Sequence, residues 1–139
     1  MRAVFADASY WIAILNPQDR LHEQAVAVSR PALAARLVTS EMVLAEVLSF
    51  FAGRGSQARQ AAARLAADLR NDQGTAIVLQ TSAQFQRALA LYARRPDKTW
   101  GLTDCASFLI MEEQGITEAL TRDRHFEQAG FTALLADQP

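Results

Sequence analysis

Four carboxylates in this chain stand where chemistry could use them: Asp7, Glu46, Asp104 and Asp123. Asp7 ends a short apolar run, Ala3 to Ala6, and Asp123 follows a second apolar run that closes at Thr121. Asp104 opens the helix-like segment W-G-L-T-D-C-A-S-F at 100–108, with Thr103 as its expected cap. Ser107, Phe108 and Met111 share its helical face, so this acid borders a surface that should be interior. Glu46 lies mid-helix with Met42, Val43, Ser49 and Phe50 at helical spacing, on a stripe expected to face inward. An unpaired interior charge is costly, so either an arginine satisfies Glu46 or it leans into a metal site. Glu41, about 140° away around the same helix, reads as a first-turn acid complementing the helix dipole.

Carboxylates brought together repel one another unless a cation neutralises them. An oxygen-only donor set selects Mg²⁺ or Mn²⁺, which keep several waters and bridge to phosphate. Zinc is disfavoured, because Cys105 is the only cysteine and His22 and His125 are far apart without ligand-motif spacing. The plain alternative gives each acid a local role, with Asp7 and Asp104 as helix caps, Glu46 in a buried ion pair and Asp123 as a turn residue. All four at corresponding places of one fold favour a shared site.

The elements that must position these acids are legible as alternating short apolar runs and helical periods. Strands are expected at 3–6, 36–39, 76–79, 116–121 and 131–135. Helices are expected over 9–15, from an Asp19 cap to about Ala35, from a Ser40 cap to Phe51, and over 56–70, 82–94 and 103–114, with a short helix or turn at 122–129. Pro17, Gly53, Gly55, the N-D-Q-G turn at 71–74 and Gly115 punctuate the pattern. Such alternation predicts an α/β fold: one domain over 1–139, three layers, with a short and mostly parallel central sheet flanked by helices. In such sheets ligands bind at the carboxyl ends of the strands. Asp7 and Asp123 fall there, and Asp104 opens the helix that leads into the strand ending at Thr121.

With 139 residues, a net charge of −1 and half its residues apolar, the chain has the balance of a soluble globular protein and cannot coat nucleic acid by charge alone. A nuclease with an acidic centre and basic rims remains open. No basic leader, long apolar segment or disulfide pattern argues for secretion or a membrane span, so a cytoplasmic location is expected. Arg54, Arg59, Arg94, Arg95, Lys98, Arg122 and Arg124 are candidate rim cations. Most of these read as solvated surface charge; Arg122 and Arg124, flanking Asp123, are the best placed to meet phosphates. Trp11 and Trp100 read as core or interface residues before base-stacking ones, and Cys105 as a small buried hydrophobe.

Four segments, V-F-A-D-A-S at 4–9, T-S-E-M-V-L-A-E-V-L at 39–48, W-G-L-T-D-C-A-S-F at 100–108 and A-L-T-R-D-R-H-F-E-Q-A-G-F at 119–131, resemble in order and spacing the PIN-domain nucleases, most closely VapC-type toxins of toxin–antitoxin pairs. The resemblance implies a PIN-like fold over essentially the full length. It also implies a metal-dependent endoribonuclease that leaves 5′-phosphate and 3′-hydroxyl ends, with Asp7, Glu46, Asp104 and Asp123 as the metal and catalytic acids. Ser9 and Thr121 match hydroxyls that line the family's pocket, Asp97 matches a rim aspartate, and His125 reads as a structural residue of the family. Gly101 stands where the family usually has serine after the tryptophan. A homodimer and a cognate antitoxin whose tail covers the site are the implied partners. The alternatives are a Mg²⁺-dependent phosphatase or phosphotransferase of haloacid dehalogenase type, a phospho-receiver domain, and a catalytically inactive PIN-fold binding module. The first needs a second Asp where Ser9 stands; the second needs an acid pair before the first helix and a lysine after the last strand, and Lys98 is the only lysine.

Overall fold

The computed structural model describes residues 2–32 and 35–135. In chain order the elements are β1 (Ala3–Ala6), α1 (Ala8–Leu15), α2 (His22–Ala32), β2 (Arg36–Ser40), α3 (Glu41–Phe51), α4 (Ser56–Asn71), β3 (Thr75–Val78), α5 (Ser82–Arg94), α6 (Leu102–Gln114), β4 (Glu118–Leu120), α7 (Arg124–Gln128) and β5 (Thr132–Ala133). The five strands form one sheet in the order β3-β2-β1-β4-β5, and every pairing is parallel. The expected extension of α2 to Ala35 runs through 33–34, outside the described residues; Ala35 itself is a bend. The last two strands are shorter than the apolar runs that announce them.

Strand order explains where a cleft must open. From β1 the chain winds outward through β2 and β3, then returns through α5 and α6 to lay β4 on the other side of β1. Right-handed crossovers then carry the connections after β1 and after β4 to opposite faces of the sheet, leaving a crevice beyond their carboxyl ends. Asp7 directly follows β1, and Thr121 to Asp123 directly follow β4. The Asp7 N–H donates to the Leu120 carbonyl at 3.1 Å, so pairing continues to the lip of that crevice.

Burial holds these strand ends still. Val4, Phe5, Ala6, Ala119 and Leu120 are wholly buried at the centre of the sheet. Phe126 of α7 is wholly buried too, between Phe5 (centroids 6.4 Å apart) and the edge-on ring of Phe108 at 4.9 Å. Trp100 packs edge-on to Phe108 from the other side and donates Nε1–H to Gln128 Oε1 at 3.0 Å. Trp11 is likewise a core residue, its Nε1–H meeting Thr39 Oγ1 at 3.4 Å. The aromatic cluster thus seats α6 and α7, the two helices bearing Asp104 and capped by Asp123, on β1. No helix among the described residues is long and apolar enough to cross a membrane.

Truncating the shared anchor tests this dependence. Phe126→Ala is expected to cost about 3–5 kcal/mol in urea unfolding with an unchanged m-value. A loss under about 1 kcal/mol would mean that α7 is not held by this ring.

Candidate active site

Helix α6 does not start as its sequence suggests. Gly101, not Thr103, is the N-cap residue, and having no side chain it offers no capping acceptor. Asp104 instead reaches back three residues, and its Oδ2 accepts the Gly101 N–H at 3.0 Å. This is the acidic half of a capping box, so part of the charge at this helix mouth is explained locally. The same Oδ2 also meets His125 Nδ1 at 2.9 Å, across from α7. One carboxylate therefore ties a helix start to the neighbouring helix.

Asp123 is the N-cap of α7, with Oδ1 accepting the His125 N–H at 2.9 Å, and the His125 ring lies 3.3 Å from that same oxygen. Single donor atoms of Asp104, Asp123 and His125 lie within 4.8 Å of one another. His125 Nε2 contacts the Thr99 hydroxyl at 3.1 Å. With Asp104 ionised and able only to accept, Nδ1 carries the proton and Nε2 accepts from Thr99. His125 is thus a site residue that sequence reasoning misses. Its proximity to Asp123 is visible in the chain, but its contact with Asp104 spans 21 positions that no helical or strand period links.

Asp7 is 7% exposed and is the α1 N-cap position, although its side chain makes no capping bond. Its Oδ2 accepts instead from the wholly buried Thr121 hydroxyl at 2.9 Å. Thr121 Oγ1 is 3.3 Å from Ser9 Oγ and also accepts the Asp123 N–H at 3.0 Å. Because Thr121 donates to Asp7, Ser9 donates to Thr121, and Ser9 Oγ in turn accepts the Arg122 N–H at 3.3 Å. The two hydroxyls thus bind the β1 end to the loop after β4.

Glu46 is the main correction to the expected geometry. It does not face the interior; it is solvent-exposed on α3, and of the stripe around it Met42, Ser49 and Phe50 border a cleft while Val43 is core. Met42, Ala45, Ser49 and Phe50 line an adjoining cavity with Ile12 of α1 and Thr103 of α6. Among the described residues none of the four acids pairs with an arginine or lysine, so the buried-ion-pair reading of Glu46 does not hold. The nearby Thr103 side chain favours its charged form instead.

All four acids, with Ser9, Arg122, Arg124 and His125, line a single cleft of about 720 Å³. Their mutual electrostatics are adverse. Burial first, and then the nearby Asp104 and Glu46 charges, push the Asp7 carboxyl up to about 7, against the opposing pull of hydrogen bonds from the Ala8 backbone and Thr121. Desolvation likewise raises Glu46, with Asp104 and Asp123 adding to it. It raises Asp104 too, partly offset by the bonds from His125 and Gly101. Outside this cluster, Asp97 forms a two-bond pair with Arg95, both at 3.0 Å, which holds its carboxyl down at about 2 on the rim.

The fold and site match known proteins over most of the chain. Two curated relatives, the 23S rRNA-specific endonuclease VapC20 of Mycobacterium tuberculosis strains CDC 1551 and H37Rv, are each 29% identical over 133 residues, covering 92% of this chain and 95% of theirs. The crystal structure of Mycobacterium tuberculosis VapC20, a sarcin–ricin loop cleaving toxin, superposes with a TM-score of 0.83 at 26% identity, covering 93% of this chain and 96% of that one. The PIN domain model matches residues 4–132. An all-parallel five-stranded sheet with acids gathered at the β1/β4 crevice and a domain match from β1 to β5 place this chain in the PIN domain family.

Proposed function

We propose that this chain is an endoribonuclease that hydrolyses RNA phosphodiester bonds with a bound divalent cation, Mg²⁺ or Mn²⁺, and that it is the toxin of a VapBC-type pair. The observation that carries the reading is the convergence of Asp7, Glu46, Asp104 and Asp123 on one cleft without a lysine or arginine ion-paired to them among the described residues. It stands beside PIN family membership and near full-length similarity to an RNA-cleaving relative. A cognate antitoxin and a second copy of the chain belong to the same reading. Phe85 and Leu89, exposed one turn apart on α5, support self-association. The dehalogenase-type alternative gains nothing here, since Ser9 occupies the place of its second acid and is engaged by Thr121.

The donor set fits a hard cation. A buried carboxyl pushed to about 7 by desolvation and neighbouring carboxylates is what an oxygen-lined cation site looks like without its positive charge. Asp7, Glu46, Asp104 and Asp123 would hold the ion. When bound, it supplies a polarised phosphate and a more acidic water. The chain does the rest. Thr121 fixes the Asp7 carboxylate, and the His125 Nδ1–H fixes that of Asp104. Glu46, solvent-accessible and with its carboxyl raised by desolvation, is placed at the mouth of the cleft to orient a water as well as to hold the ion. Arg122 and Arg124 contact phosphates next to the scissile one.

Two experiments test the reading. In an RNA-cleavage assay with Mn²⁺, Asp7→Asn and Asp104→Asn should each lose more activity than the roughly 10–100-fold that outer-shell changes cost. Equal activity of wild type and both variants would remove the catalytic assignment. The second concerns stability. A carboxyl raised to about 7 in the folded state but ordinary when unfolded binds more protons folded than unfolded between about pH 4 and pH 7. Stability of the metal-free protein therefore falls as pH rises through that window, on the order of a few kcal/mol in all. Thermal melts should show wild type losing stability from pH 5 to pH 7.5 and Asp7→Asn losing much less. Millimolar Mn²⁺ at pH 7.5 should raise the wild-type Tm and leave that of Asp7→Asn nearly unmoved. A wild-type Tm flat with pH and indifferent to Mn²⁺ would contradict the site.

A further inference from the structure

A second cavity lies behind one wall of the acidic cleft and has the opposite character. It has a volume of about 260 Å³, and its lining includes Tyr92, Arg95, Lys98, Thr99 and Trp100 but no carboxylate. The wall between the two spaces is the segment 99–100. Thr99 Oγ1 is bonded to His125 Nε2 at 3.1 Å, and Trp100 Nε1 to Gln128 Oε1 at 3.0 Å; both partners line the acidic cleft. The two spaces are therefore neighbours on either side of one short segment.

We propose that this cavity is an RNA subsite that holds a nucleotide flanking the scissile phosphate, in single-stranded RNA. The inference rests on the ribonuclease reading and adds to it where the substrate is gripped. The acidic cleft presents five carboxylates against two arginines, so a polyanion needs further cationic contacts beyond Arg122 and Arg124. The second cavity supplies them. The Arg95 guanidinium carbon lies 5.0 Å and Lys98 Nζ 5.9 Å from the Trp100 ring centroid, so indole and cations hold one another in place. Asp97 claims Arg95 with two hydrogen bonds. Lys98 forms no ion pair among the described residues; the neighbouring Asp97 carboxylate feels its charge but is held by Arg95, so the ammonium is placed to take a phosphate. Trp100 is buried and cannot stack a base, whereas Tyr92 is 53% exposed at the cavity and offers a free ring face. The volume is below the roughly 300–1,000 Å³ of sites that enclose drug-sized ligands. It suits one nucleoside unit, not a duplex.

The test uses full-length protein carrying Asp7→Asn to suppress cleavage, Mg²⁺, and a fluorescein-labelled single-stranded oligoadenylate read by fluorescence anisotropy. Adding Lys98→Gln or Tyr92→Ala should weaken binding about tenfold, with thermal melts close to those of the parent. Lys98→Gln should also make the dependence of log K on log salt shallower by about 0.7, one phosphate contact on a single strand. Lys98→Arg should restore both. In the cleaving wild-type background, Lys98→Gln should raise KM while kcat changes less than twofold. If the parent binds the RNA and wild type cleaves it, yet Lys98→Gln and Tyr92→Ala match their parents, the subsite is overturned and the ribonuclease reading stands. If Lys98→Arg is as weak as Lys98→Gln, the lysine acts by packing and the phosphate contact is overturned. If wild type neither binds nor cleaves RNA, the ribonuclease reading falls and the subsite with it.

Discussion

Repulsion between carboxylates in a partly desolvated cleft is the constraint on which the rest of this structure depends. Asp7 is nearly buried, Asp104 and Asp123 are half-buried, and Glu46 looks across at them from α3. None has an arginine or lysine partner among the described residues. The folded chain must hold these groups together without an opposite charge of its own, which destabilises it near neutral pH in the absence of a cation. Sites that work against folding in this way persist where the geometry is over-determined by packing. Here the wholly buried ends of β1 and β4 and the Phe5–Phe126–Phe108 cluster supply that packing.

Hydrogen bonds then decide how each acid is held. The fully buried Thr121 hydroxyl donates to Asp7, while its oxygen takes up Ser9 and the Asp123 N–H. One side chain thereby links the acid after β1 to the acid after β4, across the junction where neighbouring strands send their connections to opposite faces of the sheet. Valine in its place would keep the shape and lose the link, leaving Asp7 raised further. His125 does the corresponding work for α6 and α7, bridging Asp104 and Asp123 through one ring nitrogen and Thr99 through the other. The second nitrogen fixes the tautomer presented to the acids.

Much of this is legible in the sequence because the parallel sheet imposes a strong pattern. Short apolar runs such as V-F-A at 4–6, each followed by a helical period, have few other stable arrangements. The departures are local and instructive. Thr103 is a cap by residue preference, but an acid at the third helical position can satisfy the first residue's N–H just as well, and Asp104 does. Glu46 is expected to point inward because its stripe is apolar; most of that stripe, Met42, Ser49 and Phe50, instead lines a cleft shared with Ile12 and Thr103. Periodicity registers which face is hydrophobic and carries no information on whether that face meets a core or a hollow. His125 leaves no mark in the pattern because its decisive contact lies between two helices that meet only after the sheet has formed.

An acidic centre and a polyanionic substrate are at odds unless the charges are arranged in space. Net charge near zero hides that arrangement. In this chain the carboxylates converge at the strand ends, while cations sit on the segments that frame them: Arg122 and Arg124 after β4, Arg95 and Lys98 after α5. On the ribonuclease reading the frame attracts the backbone of an RNA strand, and a divalent ion at the centre would offset the acids that oppose it. Metal loading and substrate binding would then be coupled through the same field, the cation offsetting the acids that repel the phosphate and the phosphate attracting the cation. On this reading the acids do more than ligate, because the charge that a cation would offset is also the charge that opposes an RNA backbone.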